Sequence, residues 1–451
     1  MSNERSGFSS RLGFVLATAG SAVGLGNIWR FPYLAAKYGG GTFLLTYLIL
    51  TLTFGFSLMI TEVALGRKAG TSAIRAFGHF SKKYTFIGYL TTIIPFIIFP
   101  YYCVIGGWVT KYALVSIQGG IHNAASDTFF TGFISKSAEP MICVLVFLIA
   151  TTVVVAGGVK GGVERVSTIM MPVLIVLLIG VSLFCITRPG AMDGVAYYLK
   201  PNLKGFSPTT ILAALGQLFY SMSLAMGIMI TFGSYMPKKA DLEKSVTQVE
   251  IFDTGVAFLA GLMIVPAVFV FSNGDSSMLA KGPSLMFVML PKVFDSMAFS
   301  SVIAAVFFIL VLLAALTSSI SLLETLVAVL MDKFHMKRGT ACITMFIIAL
   351  LLAVPSSLGF GAWSNITILG FDFLDFFDFI SNSVLMPIAA FLTCLFVGYI
   401  IKPKVIVDEV ESSGEFKRKP LFLIMVKYIA PICIVAILVF SVLEGLGFIT
   451  V

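Results

Sequence analysis

Long apolar runs separated by short polar stretches occupy almost the whole chain. Eleven of them reach spanning length, near residues 12–36, 41–66, 85–115, 139–156, 163–185, 208–235, 242–271, 297–331, 340–356, 366–401 and 421–447. A helix needs roughly 20 apolar residues to cross a bilayer, so the pattern predicts an all-α polytopic membrane protein. Two runs are interrupted. The first contains Gly20-Ser21-Ala22-Val23-Gly24-Leu25-Gly26-Asn27-Ile28-Trp29-Arg30-Phe31-Pro32, and the sixth contains Ser221-Met222-Ser223-Leu224-Ala225-Met226-Gly227. Three glycines, an asparagine, an arginine and a proline in one window make a poor lipid-facing helix. Backbone at membrane depth can leave the helix only where protein or water meets it. Such a break frees carbonyls for a cation and N–H groups for an anion. Interruptions five spans apart predict two inverted five-helix repeats, residues 12–185 and 208–401, with a site between them. Residues 421–447 form an additional span, and 1–451 make a single transporter domain.

Composition agrees with this class. The 451 residues are 58% hydrophobic and only 12% charged, and mean hydropathy is +1.01. Residues 1–11 are polar with two arginines, and the run that follows is too long for a signal-peptide core, so no cleavable signal is expected. The six cysteines lie within or at the edges of apolar runs without a CxxC pair, and read as small core residues. A net charge of +8 raises the question of nucleic acid, but its distribution answers it. With a cytoplasmic N-terminus, the inner loops hold Arg5, Arg11, Arg67, Lys68, Arg75, Lys82, Lys83, Lys160, Arg165, Lys238, Lys239, Lys244, Lys333, Lys337, Arg338, Lys402, Lys404, Lys417, Arg418 and Lys419. The outer side holds far fewer: Lys37, Lys111, Lys136, Arg188, Lys200, Lys204, Lys281 and Lys292. The positive-inside rule therefore predicts that orientation, with the C-terminus outside and no nucleic-acid partner.

Several motifs resemble the neurotransmitter:sodium symporter family. They are Arg11-Leu12-Gly13, the run from Gly20 to Pro32, Gly39-Gly40-Gly41, Tyr101-Tyr102 through Trp108, Ser221 through Gly227, Ser234-Tyr235, and Leu316-Thr317-Ser318-Ser319. They recur in order over spans one to ten, and the chain is most similar to the bacterial eleven-span transporters of leucine and of hydrophobic or aromatic amino acids. The resemblance implies sodium-coupled uptake of a neutral amino acid by alternating access, a multi-pass place in a bacterial inner membrane, and no enzymatic activity. Its partners would be the small-molecule substrate and the lipid bilayer; the oligomeric state stays open. The competing classes are a proton-coupled relative of the same fold, and a channel or nontransporting receptor.

Two sodium sites follow from the resemblance. The first would use the Ala22 carbonyl, Asn27 Oδ1, the Ser221 carbonyl and hydroxyl, and Asp253. The second would use the Gly20, Val23 and Ala314 carbonyls with the Thr317 and Ser318 hydroxyls. Without the resemblance, Thr317 to Ser319 reads as ordinary back-bonding within a helix. Many family members carry asparagine where this chain has Asp253 and require chloride. A fixed carboxylate there would remove that requirement, leaving Tyr47 and Gln217 structural, with Ala257 one turn later. For the substrate, the Leu25 and Gly26 N–H groups and the Tyr102 hydroxyl would hold the carboxylate. Carbonyls at Ala22, Tyr220 and Ser221, with Ser223, would take the ammonium. Ile98, Ile105, Met226, Ser319 and Leu322 would surround the side chain. No charge faces that side chain, so it should be apolar or aromatic, and Met226 is adaptable.

The resemblance also implies two gates. Arg30 with Asp378, under Tyr220, would close the outside; Asp375 is the alternative acid. A pair at ~4 Å and effective dielectric ~20 attracts by roughly 4 kcal/mol before desolvation, a scale that suits a latch that must open. Arg5 with Asp332, beside Phe8, Ser234 and Tyr235, would close the inside. Glu62 is an expensive intramembrane acid expected to accept from the broken sixth span. Glu324 has similar status without an assignable partner. Pro172, ten residues after Gly162, would weaken the fifth span. The three histidines have no metal-ligand spacing, and Gly24-x-Gly26 lacks the third glycine of a dinucleotide loop.

Overall fold

The computed structural model describes residues 7–202, 206–272 and 284–448; Arg5, Lys204 and Lys281 lie outside the described residues. Among those described, nine helices are long and apolar enough to cross a membrane: Gly41–Ala69, Lys82–Ile117, Ala138–Ala156, Val159–Ile186, Leu242–Phe271, Ser300–Phe334, Arg338–Leu358, Phe373–Ile400 and Lys419–Gly445. The first crossing is the pair Arg11–Ala22 and Gly26–Lys37, bent by 54°. The sixth is Pro208–Ser221 and Ile228–Tyr235, parted by residues 222–227. The bent first pair brings the described spans that pass by length and composition to ten, and the interrupted sixth falls in its expected place in the order.

Local chemistry sets the boundaries. Ser10 Oγ accepts from Gly13 N at 3.0 Å and starts the first helix. Asp241 does the same for the seventh crossing through Lys244 N at 3.0 Å. Both are N-caps that satisfy otherwise unpaired donors. The tenth crossing begins at Phe373, seven residues later than the apolar run at 366. Residues 359–372 turn instead, with positive φ at Leu369 and Gly370, and Asp372 caps the new helix through Asp375 N. Apolarity alone reads such a hydrophobic turn as membrane.

The broken crossings sit at the centre. The third and eighth, Lys82–Ile117 and Ser300–Phe334, pack along each other beside them. Peripheral helices turn apolar stripes outward: Ile142, Val146, Ile149 and Val153 in the fourth, Ile343, Ile347 and Leu351 in the ninth, Ile432, Val435 and Val439 in the eleventh. That helical spacing presents a lipid-facing surface. Five of the six cysteines are buried and Cys433 is half-buried, none in a disulfide.

A polar strap closes the face that carries residues 7–10. The helix Lys404–Glu411 docks on the end of the second crossing. Glu409 accepts from Arg67 Nε at 2.8 Å, and Lys238 and Lys68 lie 3.2 and 3.4 Å from its carboxylate. The Arg67 side chain is fully buried and also donates to the Ala240 and Glu409 carbonyls. Next along the chain, Arg418 bridges to Glu250 at 3.0 Å and lies over the Phe56 ring, and the Lys417 and Arg418 N–H groups cap Glu243.

Burial pushes the Glu409 carboxyl up, but Arg67 and Lys238 outweigh it and hold it below its ordinary value of 4.5. A depressed carboxylate stabilises the fold above that value, and the contribution fades as pH falls through the lower, folded value. Glu409→Gln should therefore cost about 3 kcal/mol near neutrality, the scale for orphaning a buried cation, read as a lower unfolding midpoint in detergent. The gap from wild type should close below pH 4.5.

Candidate functional site

At the first break, Val23 leaves helical geometry and Asn27 repairs part of the loss. Its Oδ1 accepts from Gly24 N at 3.1 Å, while its Nδ2 donates to Asp253 Oδ1 at 2.8 Å and to the Asp253 carbonyl at 3.1 Å. Ser221 Oγ reaches the same carboxylate at 2.7 Å, and Tyr47 Oη reaches Oδ2 at 3.2 Å. Asp253 is fully buried, so one carboxylate gathers the first, second and sixth crossings at a single point. Gln217 donates to the Gly26 carbonyl at 2.9 Å. The residues expected at the first sodium site thus lie together: Ala22, Asn27, Ser221 and Asp253 are all buried around the two breaks.

The second break is held from outside itself. Ser223, Ala225 and Gly227 all have positive φ, a conformation that costs L residues roughly 1–2 kcal/mol each. Glu62 accepts from Ala225 N at 2.7 Å, the partner expected for this acid. Ser223 Oγ donates to the Ser21 carbonyl at 3.0 Å, and Ser21 Oγ lies 3.2 Å from Ser223 Oγ. The two breaks are therefore sewn to each other as well as to the helices around them.

Ser318 and Thr317 divide their roles. Ser318 Oγ crosses to the first break, 3.1 Å from the Ser21 carbonyl, 3.3 Å from that of Val23 and 3.5 Å from that of Gly20. Thr317 Oγ1 folds back on its own helix, at 3.0 Å from the Ala314 carbonyl and 3.2 Å from that of Leu313. Gly20 lies close enough that a Cβ there would meet Thr317 Cβ at 3.2 Å. The five residues expected at the second sodium site thus converge. Their donors are oxygens, the preference of a hard cation, and among the described residues no cluster of His, Cys, Asp and Glu offers an alternative metal centre.

Between the breaks lies a small cavity. Ala22, Leu25, Gly26, Ile98, Tyr102, Tyr220, Ser221, Ser223, Met226 and Leu322 line it, as expected of the substrate set. Ser21, Gly24, Ile228 and Ser318 join them; adjacency to the breaks is the signal that could have found Ser21 and Ile228. Two expected residues lie elsewhere. Ile105 faces a larger cavity beyond Tyr220, one helical turn too far along. Ser319 turns to Thr151, 2.7 Å away, because neighbouring positions of a helix point about 100° apart. Close approach explains the glycines: a Cβ on Gly24 would sit 2.6 Å from Ser318 Oγ, and one on Gly26 2.6 Å from the Tyr220 ring. The buried Tyr102 hydroxyl lies against Leu25 and Ser318 without a well-aligned hydrogen bond.

The two faces differ. On the face of residues 7–10, Phe8 packs edge-on against Phe14, Phe232 and Tyr235, and Phe8 N donates to the Tyr235 carbonyl at 3.0 Å. Ser9 binds Glu164 through both backbone and hydroxyl, at 2.8 and 2.5 Å. Asp332 accepts from Ser72 N at 2.7 Å and Thr71 Oγ1 at 3.0 Å, and Ser234 back-bonds to the Thr231 carbonyl. Glu324 accepts from Arg338 at 2.5 and 2.9 Å and from Tyr235 Oη at 2.8 Å. Its partner comes from the next helix, 14 residues on, which no helical spacing reveals. On the opposite face, Arg30, Asp375, Asp378 and Tyr220 line the larger cavity with Trp29, Tyr33 and Trp108. Arg30 and Asp378 share this space without a direct ion pair among the described residues; the Arg30 guanidinium lies over the Tyr220 ring at 5.5 Å.

Known proteins share this layout. The profile of the sodium:neurotransmitter symporter family matches residues 5–131 and 128–446. An uncharacterized sodium-dependent transporter of Bacillus subtilis (strain 168) is 35% identical, over 95% of this chain and 96% of its own. The human sodium- and chloride-dependent GABA transporter 2 is 25% identical, over 98% of this chain and 80% of its own. A crystal structure of MhsT in complex with L-phenylalanine superposes with a TM-score of 0.88 at 39% identity, covering 97% of this chain and 100% of that one.

The second break makes a paired test. Ala225→Gly should leave the unfolding midpoint unchanged or raise it, because glycine accepts the positive φ at Ala225. Glu62→Ala orphans the Ala225 N–H and should cost roughly 1–3 kcal/mol of stability, read as a lower midpoint.

Proposed function

This chain belongs to the sodium:neurotransmitter symporter family, and from that premise we propose that it imports a neutral hydrophobic or aromatic L-amino acid with sodium by alternating access. The carrying observation is the cavity between the breaks. Its ends offer main-chain and hydroxyl groups suited to a zwitterion, and its side-chain wall is Ile98, Met226, Ile228 and Leu322, without a charge. The phenylalanine bound in the similar MhsT structure supports this choice of substrate class.

In this reading two sodium ions accompany the substrate. One sits among Ala22, Asn27, Ser221 and Asp253 and touches the substrate carboxylate. The other sits among Gly20, Val23, Ala314, Thr317 and Ser318 and holds the first break against the eighth crossing. Each ion and the substrate organise the same loosened backbone, so each strengthens binding of the others, and the coupling is reciprocal. Residues 12–185 and 208–401 form the two inverted repeats and 421–447 the additional crossing. The basic strap face is cytoplasmic, which makes the packed face the closed inner gate and the Arg30 cavity the outer entrance.

The same reading makes transport chloride-independent. The Asp253 carboxylate, already bound by Tyr47, Ser221 and Asn27, supplies a permanent negative charge beside the first sodium. Purified protein in chloride-free liposomes should take up L-phenylalanine when sodium is outside, and not in sodium-free, acid-outside buffer; the reverse would favour proton coupling. Asp253→Asn should lose most chloride-free uptake, roughly tenfold or more, since it removes a charge facing a buried cation. Unchanged uptake by that variant would refute the chloride assignment alone.

A further inference from the structure

A second, smaller cavity opens beside the outer entrance, between the first half of the sixth crossing, the tenth and the eleventh. Arg30, Tyr220, Asp378 and Asn382 all line it, with Ser383 and Ser441. Asp378 Oδ1 accepts two hydrogen bonds, from Tyr101 Oη at 3.1 Å and Asn382 Nδ2 at 2.6 Å, and Asn382 Nδ2 also lies 3.2 Å from Tyr101 Oη. The orientation of the Asn382 amide follows from chemistry. An ionised carboxylate can only accept, so the NH₂ end must face Asp378. The other end, Asn382 Oδ1, is buried with no hydrogen-bond partner. Residues 378 and 382 are held in this register by a widened π-helical stretch, Phe379–Leu385, a local distortion often found at functional sites.

The Arg30 guanidinium offers five donors in a planar fork and has no ion pair here among the described residues. We propose that Asn382 is a positioning residue of the outer latch: on closure one arm of the Arg30 guanidinium binds the Asp378 carboxylate and another binds Asn382 Oδ1. The proposal rests on the reading of Arg30 and Asp378 as the gate. It adds a neutral acceptor that satisfies part of the fork without a second acid. It also explains why this amide is oriented by Asp378 itself. Tyr101 and Asn382 fill Oδ1 and so leave Oδ2 for the arriving cation. A planar two-point seat aligns the arginine above Tyr220, where a lone carboxylate would hold it in many orientations.

The test is a double-mutant cycle read by closure, with Ser284→Cys in the entrance wall as reporter in a Cys433→Ser background. The full chain is reconstituted in sodium with L-phenylalanine, and the rate of labelling by a water-soluble thiol reagent reports the open fraction. Arg30→Ala and Asn382→Ala should each speed labelling, by roughly tenfold, about the contribution of a charge-assisted hydrogen bond. The double variant should be no faster than Arg30→Ala, because the two side chains act as one unit. Asn382→Thr keeps an acceptor and loses the amide donor, so it should fall between wild type and Asn382→Ala; it also serves if the alanine variant does not fold. If Arg30→Ala leaves labelling unchanged, there is no latch, and the gate reading falls with the proposal. If Arg30→Ala speeds labelling and Asn382→Ala adds the same factor in both backgrounds, the gate stands and Asn382 acts independently of Arg30, which overturns the inference.

Discussion

An unpaired peptide group in hydrocarbon costs several kcal/mol, and this chain takes a series of them out of regular helical pairing in the middle of its bundle. Everything near the centre answers that constraint. Asn27 caps Gly24, Glu62 receives Ala225, Ser223 binds the Ser21 carbonyl, and Ser318 spans the carbonyls of the first break. Short hydroxyl, amide and carboxylate side chains cover a few groups each. In the proposed function, a zwitterion with two cations complements these side chains. Ligand binding and helix completion are then one process, which gives the coupling its physical basis.

The same economy governs the gates. Aromatic edges, a serine–glutamate clasp and the Glu324, Arg338 and Tyr235 network pack one face closed. The other face keeps its charged groups apart around an open cavity. For the proposed alternating-access cycle, interactions of a few kcal/mol on each side suffice, because such a cycle needs states of similar free energy. Tighter pairs would trap the cycle. The strap around Arg67 and Glu409 is of a different kind. Its buried, multiply bonded ion cluster joins the second crossing to the loop before the seventh, and such a cluster resists separation.

Much of this architecture was legible in linear order. The order of the spans, the two interruptions and the costly acid at 62 follow from hydropathy and from the cost of polar groups in lipid. The family resemblance supplied the grouping of donors, which spacing alone could not. What escaped was directional. Ser319 and Ser318 are adjacent in sequence but face different helices, toward Thr151 and toward the first break. Ile105 belongs to the entrance and not to the inner cavity, and the tenth crossing starts after a turn that hydropathy cannot distinguish from membrane.

The sequence by itself determined that the chain is a bundle of apolar helices with two weak points at membrane depth, since composition and helix-breaking residues act locally. Only the tertiary structure decided which side chains tie those weak points together, that Glu324 meets Arg338, and that Arg30 stands apart from Asp378. Such pairings depend on helix rotation and tilt, which arise from the packing of the whole bundle, and no stretch of residues specifies them alone.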